Sequence, residues 1–372
     1  MTSSAGALPG MDHAARRDRL RALLEEAGCE ALLVTRPVDV RYLTGFAGSS
    51  GAVVVGASPA DDMLVTDARY RERIVDLDVA QVELARPVGA VVAALGSMPL
   101  GVDAEHVTLV QADRLESARD GRPVVRTRGL VAGLRASKDV AEVARLRRAC
   151  NITAEVLRGV AHTGASPGIA ERSLAHAIEH AFREHGADGV AFPTIVASGP
   201  NGASPHHEAG DRVLIEGDLV TIDCGAEVDG YRADMTRTLA VGDVAAVPSR
   251  LREVHALVEA ANAAGRAAAW VDGDVASIDR AARDVIATAG YGDAFVHPTG
   301  HGIGLDVHEA PLVTDPSAAS LPLGTTFTVE PGIYLPGVGG VRIEDSVVVL
   351  EGTVDVLTDL ERGLVPALSD GA

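Results

Sequence analysis

Four carboxylates sit in strand-like segments whose apolar neighbours leave them no obvious partner, and they restrict this chain's folds more than any other feature. Asp223 ends the run Leu219-Val220-Thr221-Ile222-Asp223, and Asp234 follows eleven residues later, beyond a turn at Gly230. Glu330 continues Thr326 and Thr328 at period two, so all three point to one face of a strand. Glu344 lies in Val341-Arg342-Ile343-Glu344-Asp345. An ionised carboxylate is costly to bury unpaired. A salt bridge explains one such residue. Four in one place repel each other unless cations neutralise them. The chain must therefore fold so that several strands meet around positive charge.

A second stretch answers these carboxylates. Val296 to Pro311 holds His297, His301 and His308, interleaved with Gly300, Gly302 and Gly304. Imidazole serves as a metal ligand or as an acid/base near neutral pH, although a lone histidine more often satisfies a local hydrogen bond. The glycines are expected to let substrate and ions approach the backbone. A donor set of carboxylates and imidazole without thiolate suits Mn, Co or Fe(II) better than structural zinc. Four carboxylates exceed the needs of one ion. Two ions about 3.5–4 Å apart, sharing carboxylates and activating a water for hydrolysis, fit them better.

The chain has 372 residues, enough for about two domains. Its net charge of -19 argues against nucleic acid as a partner, because phosphate binding needs clustered cations. No apolar run is long enough to span a bilayer, and the N-terminus lacks the pattern of a secretory signal. Cys29, Cys150 and Cys224 are scattered, give no disulfide framework, and fit a reducing, cytoplasmic setting. Residues 1–11 read as a disordered leader, with Met11 as an alternative start. Residues 12–133 read as an α/β domain: a helix over 12–27 closed by Gly28, a strand over 31–34, a turn at Arg36-Pro37, strands over 52–55 and 63–67, and a helix from Tyr70. Residues 134–372 read as a second domain. It opens with a helix over 137–160, capped by Ser137 and burying Val140, Val143, Leu146 and Cys150. A helix over 169–185 follows, with His176, His180 and His185 read as surface or core-edge residues. Strands, two more helices (250–269 and 275–289) and further strands complete it. Helices then strands, traversed twice, suggest two similar halves.

Several pieces closely resemble the pita-bread metallopeptidases, the group containing methionine aminopeptidase, prolidase and Xaa-Pro aminopeptidase. They are Ile222-Asp223-Cys224-Gly225, Tyr231 to Thr238, Thr299-Gly300-His301-Gly302-Ile303-Gly304, Val307-His308-Glu309-Ala310-Pro311, Val329-Glu330-Pro331-Gly332 and Arg342-Ile343-Glu344-Asp345. The resemblance spans about residues 138 to 360. Tyr42 to Phe46 and Val65 to Tyr70 are similar to the creatinase-type domain that precedes the proline-specific members. The resemblance implies an α/β N-terminal domain followed by an α+β pita-bread catalytic domain with pseudo-twofold halves.

It also implies that Asp223, Asp234, His301, Glu330 and Glu344 hold two divalent ions, Mn or Co ahead of Fe or Zn. Asp234 and Glu344 would bridge them. Glu330 would shuttle the proton of a bridging hydroxide. His308 would stabilise charge at the scissile carbonyl, and His206 would sit near the substrate and leaving group. His297 is assigned to the substrate side. Arg342 is assigned first as a clamp on a ligand carboxylate and second as a substrate contact, and His207 is expected to face solvent. The activity implied is removal of the residue before proline, as an Xaa-Pro aminopeptidase acting as a homodimer. The run Phe46 to Gly51 favours this over prolidase, and a non-catalytic binding module ranks third. Two departures stand out. Cys224 replaces a common aromatic, which suggests oxidation-sensitive activity, and Pro298 follows His297 where glycine is usual.

Overall fold

A computed structural model of the chain describes residues 7–84, 88–160 and 165–367. They divide into two compact units, Gly10–Arg135 and the stretch from Ala136 onward together with Pro9. Of the leader expected over residues 1–11, residues 1–6 lie outside the described residues, while the Pro9 carbonyl accepts a 2.9 Å hydrogen bond from Arg145 Nη1. Among the described residues, no helix is long and apolar enough to cross a membrane.

The smaller unit contains, in order, α1 (His13–Arg21), β1 (Ala31–Val34), α2 (Pro37–Thr44), β2 (Gly51–Val55), β3 (Met63–Thr66), β4 (Gln81–Leu84), α3 (Val88–Ala94), β5 (Leu100–Asp103), α4 (Leu109–Ala118), β6 (Val125–Thr127) and α5 (Leu130–Ala136). The strands form one sheet in the order β4-β3-β2-β1-β5-β6. β1 runs parallel to β5 and antiparallel to β2. Leu33, Val54, Val65, Leu100 and Val102 make its core. Two expectations change. The first helix is shorter, ending at Arg21, and the turn expected at Arg36-Pro37 is instead the start of α2. Proline suits a first helical position, where its fixed φ fits and no N–H is lost. Gly45, at φ +77°, closes that helix.

The larger unit begins with α6 (Val140–Gly159) and α7 (Glu171–Glu184). Asp139, not Ser137, caps α6: its carboxylate accepts from Glu142 N at 2.9 Å while Glu142 accepts from Asp139 N at 3.0 Å. Val140 is 82% exposed and Val143 half-buried, contrary to the expected face, while Ala141, Arg145, Leu146, Ala149 and Cys150 are buried. β7 (Gly189–Val190), β8 (Ile195–Ser198), β9 (Leu219–Cys224), β10 (Ala226–Val228), β11 (Tyr231–Arg232) and β12 (Met235–Val241) follow. Then come α8 (Ser249–Ala267), α9 (Val275–Thr288), β13 (Gly300–Gly302), β14 (Glu309–Val313), β15 (Thr326–Val329), β16 (Gly332–Leu335), β17 (Gly339–Arg342), β18 (Asp345–Leu350), β19 (Thr353–Val356) and β20 (Pro366–Ala367). Helices then strands are traversed twice, and the two main sheets run β20-β12-β9-β8 and β14-β13-β15-β18-β19. Helix α8 packs Leu251, Val254, Val258 and Ala261 against Ile333, Val341 and Ile343, with Leu257 partly buried beside them.

A buried ion cluster pins the strands that approach the site. Asp345 is fully buried and is reached by Arg237 at 2.9 Å, Arg266 at 3.2 Å and Arg362 at 2.6 Å. Burial alone would push its carboxyl up, but these guanidiniums outweigh that and hold it below its usual range. Arg237 also donates to the carbonyls of Glu344 (2.6 Å) and Thr236 (2.9 Å), joining β12 to the start of β18.

Two predictions follow from buried titratable groups. His255 on α8 is 2% exposed and bonds through Nε2 to the Thr238 carbonyl at 3.2 Å; burial lowers its pKa to about 4. The unfolded chain therefore binds a proton near pH 6.5 that the folded chain resists. Stability contributed by the neutral ring is complete above that pH and is lost as pH falls toward 4, by up to about 3 kcal/mol. Melting temperatures of His255→Gln between pH 7 and 4 should fall less steeply than those of the parent, and an unchanged slope would refute this. All three cysteines are buried, with burial raising each thiol pKa, to about 12 for Cys150. Cys224 is thus a protonated, inaccessible thiol, contrary to the oxidation sensitivity suggested by its position. A colorimetric thiol reagent should detect none in the native protein and all three after denaturation.

Candidate active site

A cleft of about 1040 Å³ opens in the larger unit and is lined by Asp223, Asp234, His301, Glu330 and Glu344, together with His206, His297, His308 and Arg342. Only Asp223 stands within a regular strand, β9, paired across to Ile195 on β8 and Thr236 on β12. The other three carboxylates occur where strands are interrupted. Asp234 lies between β11 and β12, Glu330 directly follows β15, and Glu344 separates β17 from β18. A break re-aims a side chain that regular pleating would send elsewhere. The apolar patterning of residues 231–239 and 340–350 is continuous and does not announce these breaks.

The ligand-type atoms of Asp234, His301 and Glu344 lie within 4.8 Å of one another. His301 Nε2 is 3.3 Å from Glu330 Oε1 and 3.6 Å from Asp234 Oδ2. Its Nδ1 is 3.1 Å from the Gly302 carbonyl, which fixes that nitrogen as the donor and turns Nε2 toward the carboxylates. Asp223 Oδ2 accepts from Arg342 Nη2 at 2.6 Å, and Glu344 Oε2 accepts from Thr236 Oγ1 at 2.8 Å. Asp223 Oδ1 and Glu344 Oε1 are buried without a hydrogen-bond partner.

Electrostatics show the strain in this arrangement. Burial, and then the charges of Glu344, Asp223 and Glu330, push the Asp234 carboxyl well above its usual range. Burial, and then Glu330 and Asp223, do the same to Glu344. Burial opposes charge on His301 too, yet its contacts with Glu330 and Glu344 raise its pKa, and Glu330 is lowered in return. Buried partnerless oxygens, one imidazole nitrogen and this excess of negative charge fit divalent metal ions.

The remaining candidates divide into two groups. His308 reaches the open part of the cleft, its ring 4.3 Å from that of His301 and edge-on to it, and burial and the charge of His301 lower its pKa. His206 lines the same cleft, close enough to His297 and His308 for its charge to depress theirs. His297 and Arg342 are more committed. His297 pairs through Nδ1 with the Pro298 carbonyl at 2.7 Å and through Nε2 with the Tyr334 hydroxyl at 2.8 Å. Arg342 donates to Asp223, to Thr236 Oγ1 at 3.0 Å, to the Tyr334 hydroxyl at 3.0 Å and to the Pro205 carbonyl at 3.2 Å. Its guanidinium acts on protein groups throughout.

One expectation fails here. His207 does not face solvent: its Nε2 lies 2.8 Å from the buried carboxylate of Glu171. Gly300 and Gly302 meet backbone on their side-chain side. A Cβ on Gly300 would stand 1.9 Å from the Thr328 carbonyl oxygen, and one on Gly302 would stand 2.1 Å from that of Ala310. These glycines admit neighbouring backbone. Tyr334, Thr236 and Asn262 were absent from the sequence-based site. Asn262 is fully buried on α8 and donates to the carbonyls of Val329 (2.8 Å) and Ile343 (3.3 Å), the residues before Glu330 and Glu344. A buried tyrosine or asparagine must find a partner, which is the only sequence signal these residues give.

Comparison with known proteins agrees with this geometry. Residues 144–351 match the family model described as Metallopeptidase family M24, and residues 16–137 match that of the Creatinase/Prolidase N-terminal domain. An uncharacterized peptidase of Bacillus subtilis, YqhT, is 36% identical over 94% of this chain and 99% of its own. The structure titled Xaa-Pro dipeptidase from Bacillus anthracis superposes with a TM-score of 0.91 at 34% identity, covering 95% of this chain and all of that one. The structure of an X-Pro aminopeptidase from Thermotoga maritima does so with a TM-score of 0.86 at 32% identity, covering 94% and 100%. The family match across more than half the chain, and relatives this similar over nearly its whole length, establish that the protein is a metallopeptidase of family M24 with a creatinase/prolidase-type N-terminal domain.

Proposed function

We propose that the protein is an Xaa-Pro aminopeptidase, releasing the N-terminal residue from peptides with proline in second place. The observation that carries this reading is the convergence of four carboxylates and His301 in one cleft, two of whose buried carboxylate oxygens have no protein partner. Asp223, Asp234, His301, Glu330 and Glu344 would hold two divalent ions, Mn or Co first. When bound, such ions supply Lewis acidity to the scissile carbonyl and lower the pKa of water toward 7.

The chain's own groups would do the rest. Glu330 would take the proton from the attacking water and return it to the leaving nitrogen. His308 would donate a hydrogen bond to the oxygen on which negative charge develops. His206 would hold the substrate near the leaving group. Arg342, tied to Asp223 and Tyr334, would keep that wall of the cleft in register, and His297 would present its ring to the substrate with both nitrogens already engaged. A cleft of about 1040 Å³ has room for residues beyond proline. The second reading, an Xaa-Pro dipeptidase, is favoured by similarity to the Bacillus anthracis protein of that title.

Peptide assays with added Mn or Co separate the two. An Xaa-Pro-Yaa tripeptide is expected to turn over at least as well as the Xaa-Pro dipeptide, and turnover of the dipeptide alone would select the second reading. Glu330→Ala and His301→Ala should each lower kcat/KM by at least roughly a hundredfold without loss of fold. Near-normal turnover in either would contradict the roles given. Adding metal at about a hundred times its Kd to chelator-treated protein should stabilise it by about 2.7 kcal/mol, read as a rise in Tm. A flat Tm would count against a metal centre altogether.

A further inference from the structure

The carboxylate of Glu171, at the start of α7, is fully buried, and the activity proposed above gives it no task. It gathers donors from one loop. Ser198 donates to Oε1 through both its backbone N–H (2.8 Å) and its hydroxyl (2.7 Å). Asn201 Nδ2 lies 3.0 Å from Oε1 and 3.2 Å from Oε2. His207 Nε2 is 2.8 Å and Gly210 N is 3.3 Å from Oε2. These residues span both ends of the segment 198–210, and His206 stands inside it. Backbone bonds from Glu171 N to the Arg212 carbonyl and from Arg172 N to the Gly210 carbonyl, both 3.0 Å, fasten the outgoing end to the same helix turn.

The other side of the loop is held independently. Arg342 donates to the Pro205 carbonyl at 3.2 Å, and Gly202 lies so close to β17 that a Cβ there would be 3.0 Å from Gly340 N. His206 thus stands between two anchored neighbours, Pro205 and His207. Its own side chain is left to line the cleft. Ser198 extends the network outward: its hydroxyl accepts from Arg212 Nη1 at 2.6 Å, and Arg212 pairs with Asp218 at 2.7 Å. A buried carboxylate with this many donors is rigid, because each donor it released would leave charge unsatisfied.

We propose that Glu171 is a positioning residue for His206, its buried carboxylate clamping both ends of the 198–210 loop so that the His206 imidazole is presented to the substrate. The role assigned to His206 rests on the peptidase reading above; its position in the cleft does not. In Glu171→Gln one oxygen becomes an NH2 group, which cannot accept the bonds of its neighbours.

A double-mutant cycle with a crystal structure tests the proposal. Glu171→Gln and His206→Ala are each expected to lower kcat/KM roughly a hundredfold, since a displacement of about 1 Å at a reacting group costs that much. The double variant should be no slower than His206→Ala alone, with metal content at the parent level throughout. Purely structural damage would give additive losses, and additivity would overturn the proposal, as would a His206→Ala variant of normal activity. Asn201→Ala, which removes two of the bonds and does not line the cleft, gives the same comparison should Glu171→Gln fail to fold. The crystal structure of either variant should show the His206 ring displaced with the five carboxylate and imidazole ligands in place, and an unmoved ring would refute the clamp. Should the parent hydrolyse no Xaa-Pro peptide, the peptidase reading falls while the crystal structure still decides the clamp.

Discussion

Mutual repulsion among Asp223, Asp234, Glu330 and Glu344 is the constraint around which the larger unit is organised. Each comes from a different strand or strand break, and each is buried or nearly so. Burial and mutual repulsion push the Asp234 and Glu344 carboxyls well above their usual range, and His301, against its own burial, is raised by Glu330 and Glu344. The scaffold behind the site is correspondingly rich in charge-assisted bonds. Arg342 bonds to Asp223, Arg237 and its partners cage Asp345, and Asn262 fixes the carbonyls just before Glu330 and Glu344. Of these, only Arg342 brings positive charge to the cleft, one cation against four carboxylates. These bonds hold geometry, and leave the remaining neutralisation to whatever binds.

The same division appears in the histidines. His301 has one nitrogen spent on a carbonyl and the other aimed at carboxylates, which is how a ligand is prepared. His308 and His206 reach the open cleft, whereas His297 has both nitrogens engaged by protein. His207, adjacent to His206 in sequence, is bonded to Glu171. Neighbouring residues of one type therefore perform unlike tasks, separated by where the backbone turns their side chains.

Much of this was legible in the residues themselves. Apolar runs ending in carboxylates, the period-two alternation of Thr326, Thr328 and Glu330, and helical spacing are local patterns. They located strands, helices and the four carboxylates, while His206, His297, His308 and Arg342 came from the family resemblance. What escaped was non-local. The break that separates Asp234 from β12 and the one at Glu344 depend on the neighbouring strands, as does the use of Gly300 and Gly302 for close backbone contact. The capping error at α6 was different in kind: Ser137 and Asp139 are both good caps, and Ser137 is instead drawn into a bridge with Thr325. Glu171 and Asn262 left little sequence signal, because one polar residue among many becomes meaningful only when its burial and partners are known.

Glu344 and Asp345 are consecutive acids with opposite surroundings, one in a cation-poor cleft and the other in a cage of arginines. Side chains alternate along an extended backbone, so a slip of one residue would turn Glu344 away from the cleft and Asp345 away from its arginines. Each carboxylate would then lose the surroundings that hold it, and the adjacent pair penalises a shifted strand register before any ion or substrate arrives.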